Sequence, residues 1–163
     1  MTQQSAHHSK ALQVRQALWA LQKEVLNSLK EEFDREVGYQ AAPTEWFQVL
    51  MTAERYMWLR ELTSLMADID ILTELEFITD QHAGTARAEI ENLLFDQDSP
   101  EPSVFSKQYR DLLMTGTALL PLHSQLRATL QHLPKSELNK EQTSAERKSW
   151  HEEHRHQARK KRN

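Results

Sequence analysis

Residues 105–133 read FSKQYRDLLMTGTALLPLHSQLRATLQHL. Phe105, Tyr109, Leu112, Gly116, Leu119, His123, Leu126, Leu130 and Leu133 recur there at alternating gaps of four and three, and seven of the nine are apolar or aromatic. Such gaps keep side chains on one face of an α-helix, so the stretch predicts one long helix, packed along its length and ending near Pro134. Gly116 would let a neighbouring helix come close. Pro121 leaves the carbonyl of Thr117 without its helical donor and predicts a local bend.

The same pattern recurs upstream. A first helix is predicted over 9–37, where Val14, Leu18, Leu21, Val25, Leu29, Phe33 and Val37 fall at gaps of three or four and Gly38 stands just past the end. Pro43 suits the first turn of a second helix, and Glu45 complements its dipole. That helix carries Phe47, Met51, Trp58, Leu62, Leu65, Ile69 and Leu72. Arg55 interrupts the series, so the segment is either one helix facing a polar neighbour or two, over 44–53 and 55–76. A further helix starts at a Thr79 or Asp80 cap and carries Ala83, Ala86, Ile90 and Leu93 or Leu94. Gly84 weakens its first turn, and 76–84 reads equally as loop or helix. Residues 96–102, DQDSPEP, read as a loop, with Ser103 capping the helix that bears the seam.

These elements predict an all-α fold, an antiparallel bundle of about four helices over 9–134. Residues 135–163 have only Leu138, Ala145, Trp150 and Ala158 as apolar residues. So little apolar surface does not offset ordering entropy, which predicts a flexible charged tail, disordered or at most a solvated helix.

Composition narrows the function. Three glycines are too few for phosphate or dinucleotide loops, and without cysteine neither a disulfide framework nor a thiolate metal site can form. The N-terminal residues lack the apolar core of a secretory signal. The longest uncharged run, 112–126, is fifteen residues, short of the roughly 20 that span a bilayer. A cytoplasmic protein without membrane insertion is the expectation. Residues 1–134 hold 11 basic and 19 acidic side chains, net −8, whereas 135–163 hold 9 and 5, net +4. An acidic body with a basic tail is the chain's largest electrostatic asymmetry.

Candidate sites are few. Trp46, Phe47, Tyr56 and Trp58 place four of the twelve aromatics in thirteen residues, next to Arg60. Trp, Tyr and Arg are frequent anchors of protein interfaces, so Trp46, Tyr56, Trp58 and Arg60 are candidate partner contacts, against the alternative of ordinary packing. In Trp46–Phe47 and Trp58–Leu59 the side chains are adjacent, so one of each pair is expected to cover a second interface or an exposed groove. His123 is either a metal ligand or proton carrier or a core histidine held by hydrogen bonds. Three residues before it stands Leu120, so the Glu-x-x-His pattern of bundle metal sites is missing. Asp68 and Asp70 diverge by roughly 200° on a helix, and a salt link from Asp70 to another helix is the simpler reading. His151, His154 and His156 do not have zinc-protease spacing, because Arg155 stands where the second histidine belongs. Arg159, Lys160, Lys161 and Arg162 form a cluster that could contact nucleic acid.

Trp58-Leu59-Arg60-x-Leu62-x-x-Leu65-x-x-x-Ile69-Asp70 resembles a segment of small helical proteobacterial proteins, many of which read Trp-Leu-Arg-Pro-Leu-Ser. Glu61 and Thr63 stand here in place of the proline and the serine. The resemblance implies a bacterial, cytosolic helical protein, and it assigns neither an activity nor a catalytic residue. No nucleophile motif, catalytic set or cofactor signature is found. The expected function is non-enzymatic, through another protein or a second copy of the chain. Nucleic-acid association through the basic tail is the alternative, followed by a metal or small ligand near His123.

Overall fold

A computed structural model describes residues 3–96, 99–115 and 118–162. Among them there are seven α-helices, one 3-10 turn and no strand: α1 (Gln3–Val37), α2 (Pro43–Thr52), the 3-10 turn Glu54–Tyr56, α3 (Leu59–Glu74), α4 (Asp80–Leu94), α5 (Val104–Thr115), α6 (Leu119–Leu130) and α7 (Lys140–Arg162). The all-α class stands, and the count of about four helices is corrected to seven. No helix among the described residues is long and apolar enough to cross a membrane.

The predicted stripes are the core. Val14, Leu18, Leu21, Val25 and Leu29 of α1 are buried against α3 and α6, with Leu62, Leu65, Ile69 and Leu72 of α3 and Ala83, Ala86, Ile90 and Leu94 of α4. Val37, last of the α1 series, is exposed. The chain leaves α1 through Gly38 at φ +84°, a conformation that favours glycine. Thr79 caps α4, its hydroxyl accepting from the His82 N–H while His82 Nδ1 accepts from the Thr79 N–H. Ser103 caps α5 by accepting from the Ser106 N–H.

The seam over 105–133 is not one helix. α5 ends at Thr115, α6 begins at Leu119, and the chain turns back on itself. The Tyr109 hydroxyl lies 2.8 Å from His123 Nδ1, though 14 residues of continuous helix would separate them by about 21 Å. Pro121 is the third residue of α6, where its missing N–H has no helical partner to lose, so no bend is needed. The expectations for Gly116 and the Thr117 carbonyl fall outside the described residues. Phe105, Tyr109, Leu112, Leu119, Leu126, Leu130 and Leu133 are nonetheless all buried.

The flexible charged tail is also corrected. Residues 140–162 form α7, which lies on α3 and α4 with Trp150 wholly buried. Polar pairs do the rest. Asp68 of α3 accepts from Arg147 and His151 at 2.5 and 2.6 Å, Glu89 of α4 accepts from Thr143 at 3.1 Å, and His154 meets Glu74 at 2.9 Å. His82 Nδ1 is an acceptor, so its proton sits on Nε2, 3.0 Å from Glu153. Positions 68, 74 and 76 of α3 and its end meet 151, 154 and 157, so α3 and α7 run parallel. Asp96, Glu89 and Gln81 meet Lys140, Thr143 and Glu146, so α4 and α7 run antiparallel. Part of the charge asymmetry is thus an internal complementarity: Lys140 and Arg147 of the basic segment pair with Asp96, Asp68 and Glu89 of the acidic body. Gly84 admits the connection into α7, since a Cβ there would stand 3.2 Å from the Ser136 backbone.

Candidate functional site

The break at Arg55 opens an apolar groove. Arg55 reaches back to Glu36 of α1 at 2.6 Å and covers the Tyr56 ring at 4.9 Å. Its pKa is pushed above the ordinary guanidinium value, chiefly by the Glu36 hydrogen bond. The 3-10 turn thereby separates α2 from α3 and gives α2 its own register. Trp46, 9% exposed, faces inward against Phe33 and Tyr56, while Phe47 and Met51 of the predicted apolar series are 61% and 58% exposed, so of the adjacent Trp46 and Phe47 one lies outside.

Between α1, α2, the turn and α3 lies a groove of about 400 Å³. Gln22 and Leu26 form one wall, Leu50, Met51 and Met57 another, and Leu59, Arg60, Thr63 and Ala67 the third. Arg15 of α1 pairs with Asp70 of α3 at 2.5 Å, whereas Leu26 shares the groove with Leu59, so α1 and α3 run antiparallel along it. The groove's lining on α3 runs from Leu59 to Ala67, eight residues or about 12 Å, room for some two helical turns. Trp19, half exposed under the Arg15 guanidinium, lies one turn before Gln22. Small residues along α3 keep the groove open, and two flexible methionines line it.

Of the residues singled out in the sequence, Trp46, Tyr56 and Trp58 are packed inside the chain. Trp58 lies edge-on to Phe105 of α5 at 5.4 Å, and it and Leu59 are both buried. They escape the expected choice between inside and outside because α3 buries a broad face rather than a narrow stripe, with Leu59, Met66 and Asp68 buried beside Leu62, Leu65, Ile69 and Leu72. The Tyr56 hydroxyl is buried without a partner among the described residues. Burial, chiefly, pushes its pKa above the ordinary phenol value. Arg60 is exposed at the groove mouth. Leu26 and Met57 were not singled out, and Met51 was named only as part of the apolar series of the second helix. Two methionines flanking the aromatic block were the available signal.

His123 sits half-buried between Tyr109 and Phe95, with Arg127 beside it. Burial and Arg127 hold its pKa below the usual 6.5. The neutral ring accepts from the Tyr109 hydroxyl, whose own pKa burial raises. Among the described residues no group of three or more His, Cys, Asp or Glu is placed to hold a metal ion. Arg159, Lys160, Lys161 and Arg162 lie past Gln157, the last residue of α7 bonded to the body, and are exposed. Comparison with protein-family models, curated proteins and solved structures finds no match to this chain.

Proposed function

We propose that the protein is a non-enzymatic helical module of the cytoplasm that acts by taking an apolar helix of another protein into the groove between α1, α2 and α3. The observation that carries this reading is the groove itself: apolar walls, Met51 and Met57 exposed, and length for about two turns. Helix-in-groove recognition needs that shape and that adaptable surface, and exposed apolar surface of this kind is a frequent mark of an interface. Arg60 belongs to the site at its mouth, while Trp46, Tyr56 and Trp58 act from below by fixing the walls.

Ala67→Arg tests the reading, because Ala67 is exposed on α3 and a long side chain there fills the groove without touching the core. Immobilised wild type should retain a partner from a bacterial extract that the variant does not, with both melting at the same temperature. Identical retained proteins would overturn the reading. Self-association through the same groove would appear in light scattering as a wild-type dimer that Ala67→Arg turns into a monomer.

The second reading, nucleic-acid association, is favoured by the exposed final turn of α7. Lys160, Lys161 and Arg162 have no ion-pair partner among the described residues. Their bland role is to complement the helix dipole. Fluorescence anisotropy of a labelled duplex at low salt, with these three replaced by glutamine as control, decides it. Binding indifferent to the replacement removes the reading.

A further inference from the structure

The groove does not end at Arg60. Arg60 and Ser64 also line a second, polar cleft of about 460 Å³ between α3, α4 and α7, to which Glu61, Asp68, Arg147 and Lys148 contribute. Asp68 is engaged by Arg147 and His151, and Arg147 also meets Glu89 at 3.4 Å and Ser64 at 3.2 Å. That leaves Arg60, Lys148 and Glu61 without an ion pair among the described residues, two exposed cations against one carboxylate. The apolar groove therefore opens, at a shared edge, onto a cleft with surplus positive charge. One of the two cations, Lys148, comes from α7, the segment furthest away in sequence.

Resting on the groove reading, we infer that the partner segment is an amphipathic helix with acidic residues on the flank beside its apolar stripe. Its apolar residues lie against Leu26, Met51 and Met57, and its carboxylates face Arg60 and Lys148. An aliphatic carboxylate, the other amphiphile with this charge pattern, would fill the 400 Å³ groove alone. The exposed apolar surface runs on past it, through Trp19 along α1 and Phe47 on α2, and a helix covers that width where a single chain does not. Charge at such a rim sets orientation and partner choice more than affinity. α7 is accordingly part of the recognition surface, by delivering Lys148.

The test uses the full chain and two labelled, alanine-based model helices about 15 residues long, the length at which isolated helices begin to hold. Both carry one leucine stripe at helical spacing. One has glutamates on the flank beside it, the other lysines. Two exposed rim contacts predict about a tenfold tighter fit for the glutamate helix in anisotropy titrations at low salt, shrinking as salt rises. Arg60→Glu with Lys148→Glu should reverse the preference, and Ala67→Arg should abolish binding of both helices. Equal affinities, unchanged in the double variant but lost in Ala67→Arg, would overturn the acidic flank and leave the groove reading standing. No binding of either helix would overturn both. Binding of dodecanoate below its micellar range, lost in Ala67→Arg while neither helix binds, would give the site to a fatty carboxylate instead. Circular dichroism melts of each variant separate these outcomes from unfolding.

Discussion

α1 and α7 are the two long helices, and they are held to the same body in opposite ways. α1 buries Val14, Leu18, Leu21, Val25 and Leu29, each contributing about 1.5–3 kcal/mol. α7 buries only Thr143 and Trp150, and its remaining hold is a row of side-chain pairs to Asp68, Glu74, Glu89 and His82. Area spread over five side chains is the main hold on α1, one that salt affects little. One aromatic anchor and charge geometry fix α7, so single substitutions and solution conditions should act on it selectively.

The largest effect is expected at the anchor. Trp150→Ala removes the one large apolar side chain that α7 buries and should cost about 3–5 kcal/mol. Proteolysis should then cut within 140–162 well before the rest of the chain, and denaturant melts should show the loss. Protection of α7 unchanged in the variant would mean that the polar pairs alone hold it. Next comes Asp68→Ala, which strands Arg147 and His151 and should cost about 2 kcal/mol. Because Arg147 is only partly buried, high salt should weaken the wild-type seam toward the variant's level while α1 keeps its protection. A cleavage rate in α7 that does not respond to salt would argue against charge as its second fastening.

The smallest effect is in the α5–α6 pair. His123 has a pKa below the ordinary 6.5 when folded, so the folded chain refuses a proton that the unfolded chain accepts. Its stabilisation is complete above that value and is lost as pH falls through the range below it. Comparing melts at about pH 7 and about pH 5, wild type should lose more stability than His123→Gln. Equal losses would show that the burial of His123 carries no pH cost.

Periodicity located buried residues but not the path of the chain. Every apolar member of the 105–133 seam is in the core, because a three-four spacing reports which side of a helix is dry. It is silent on whether the axis continues, and the gaps across Gly116 happen to match those of an unbroken helix. α7 was illegible for another reason. Its fastening is a set of partners far away in sequence, such as His151 with Asp68, 83 residues apart, and hydropathy counts those residues only as solvated. The charge asymmetry between body and tail was only a partial trace of that docking, because its terminal cluster, Arg159 to Arg162, stays exposed. At the groove, the aromatic block lies beside the apolar walls while Trp46, Tyr56 and Trp58 are packed inside the chain. The walls come from Leu26, Met51 and Met57, which only the break at Arg55 brings together.

The most direct measurement is a methyl NMR spectrum of the protein labelled at its five methionines, recorded while the glutamate-flanked helix is titrated in. Met51 and Met57 line the groove, Met66 is buried elsewhere in α3, and Met114, 77% exposed on α5, reports indiscriminate apolar contact. Saturable shifts of Met51 and Met57, with Met66 and Met114 still, are the expected result. A shift at Met114 of equal size, or none at Met51 and Met57, would contradict the groove as the site of recognition.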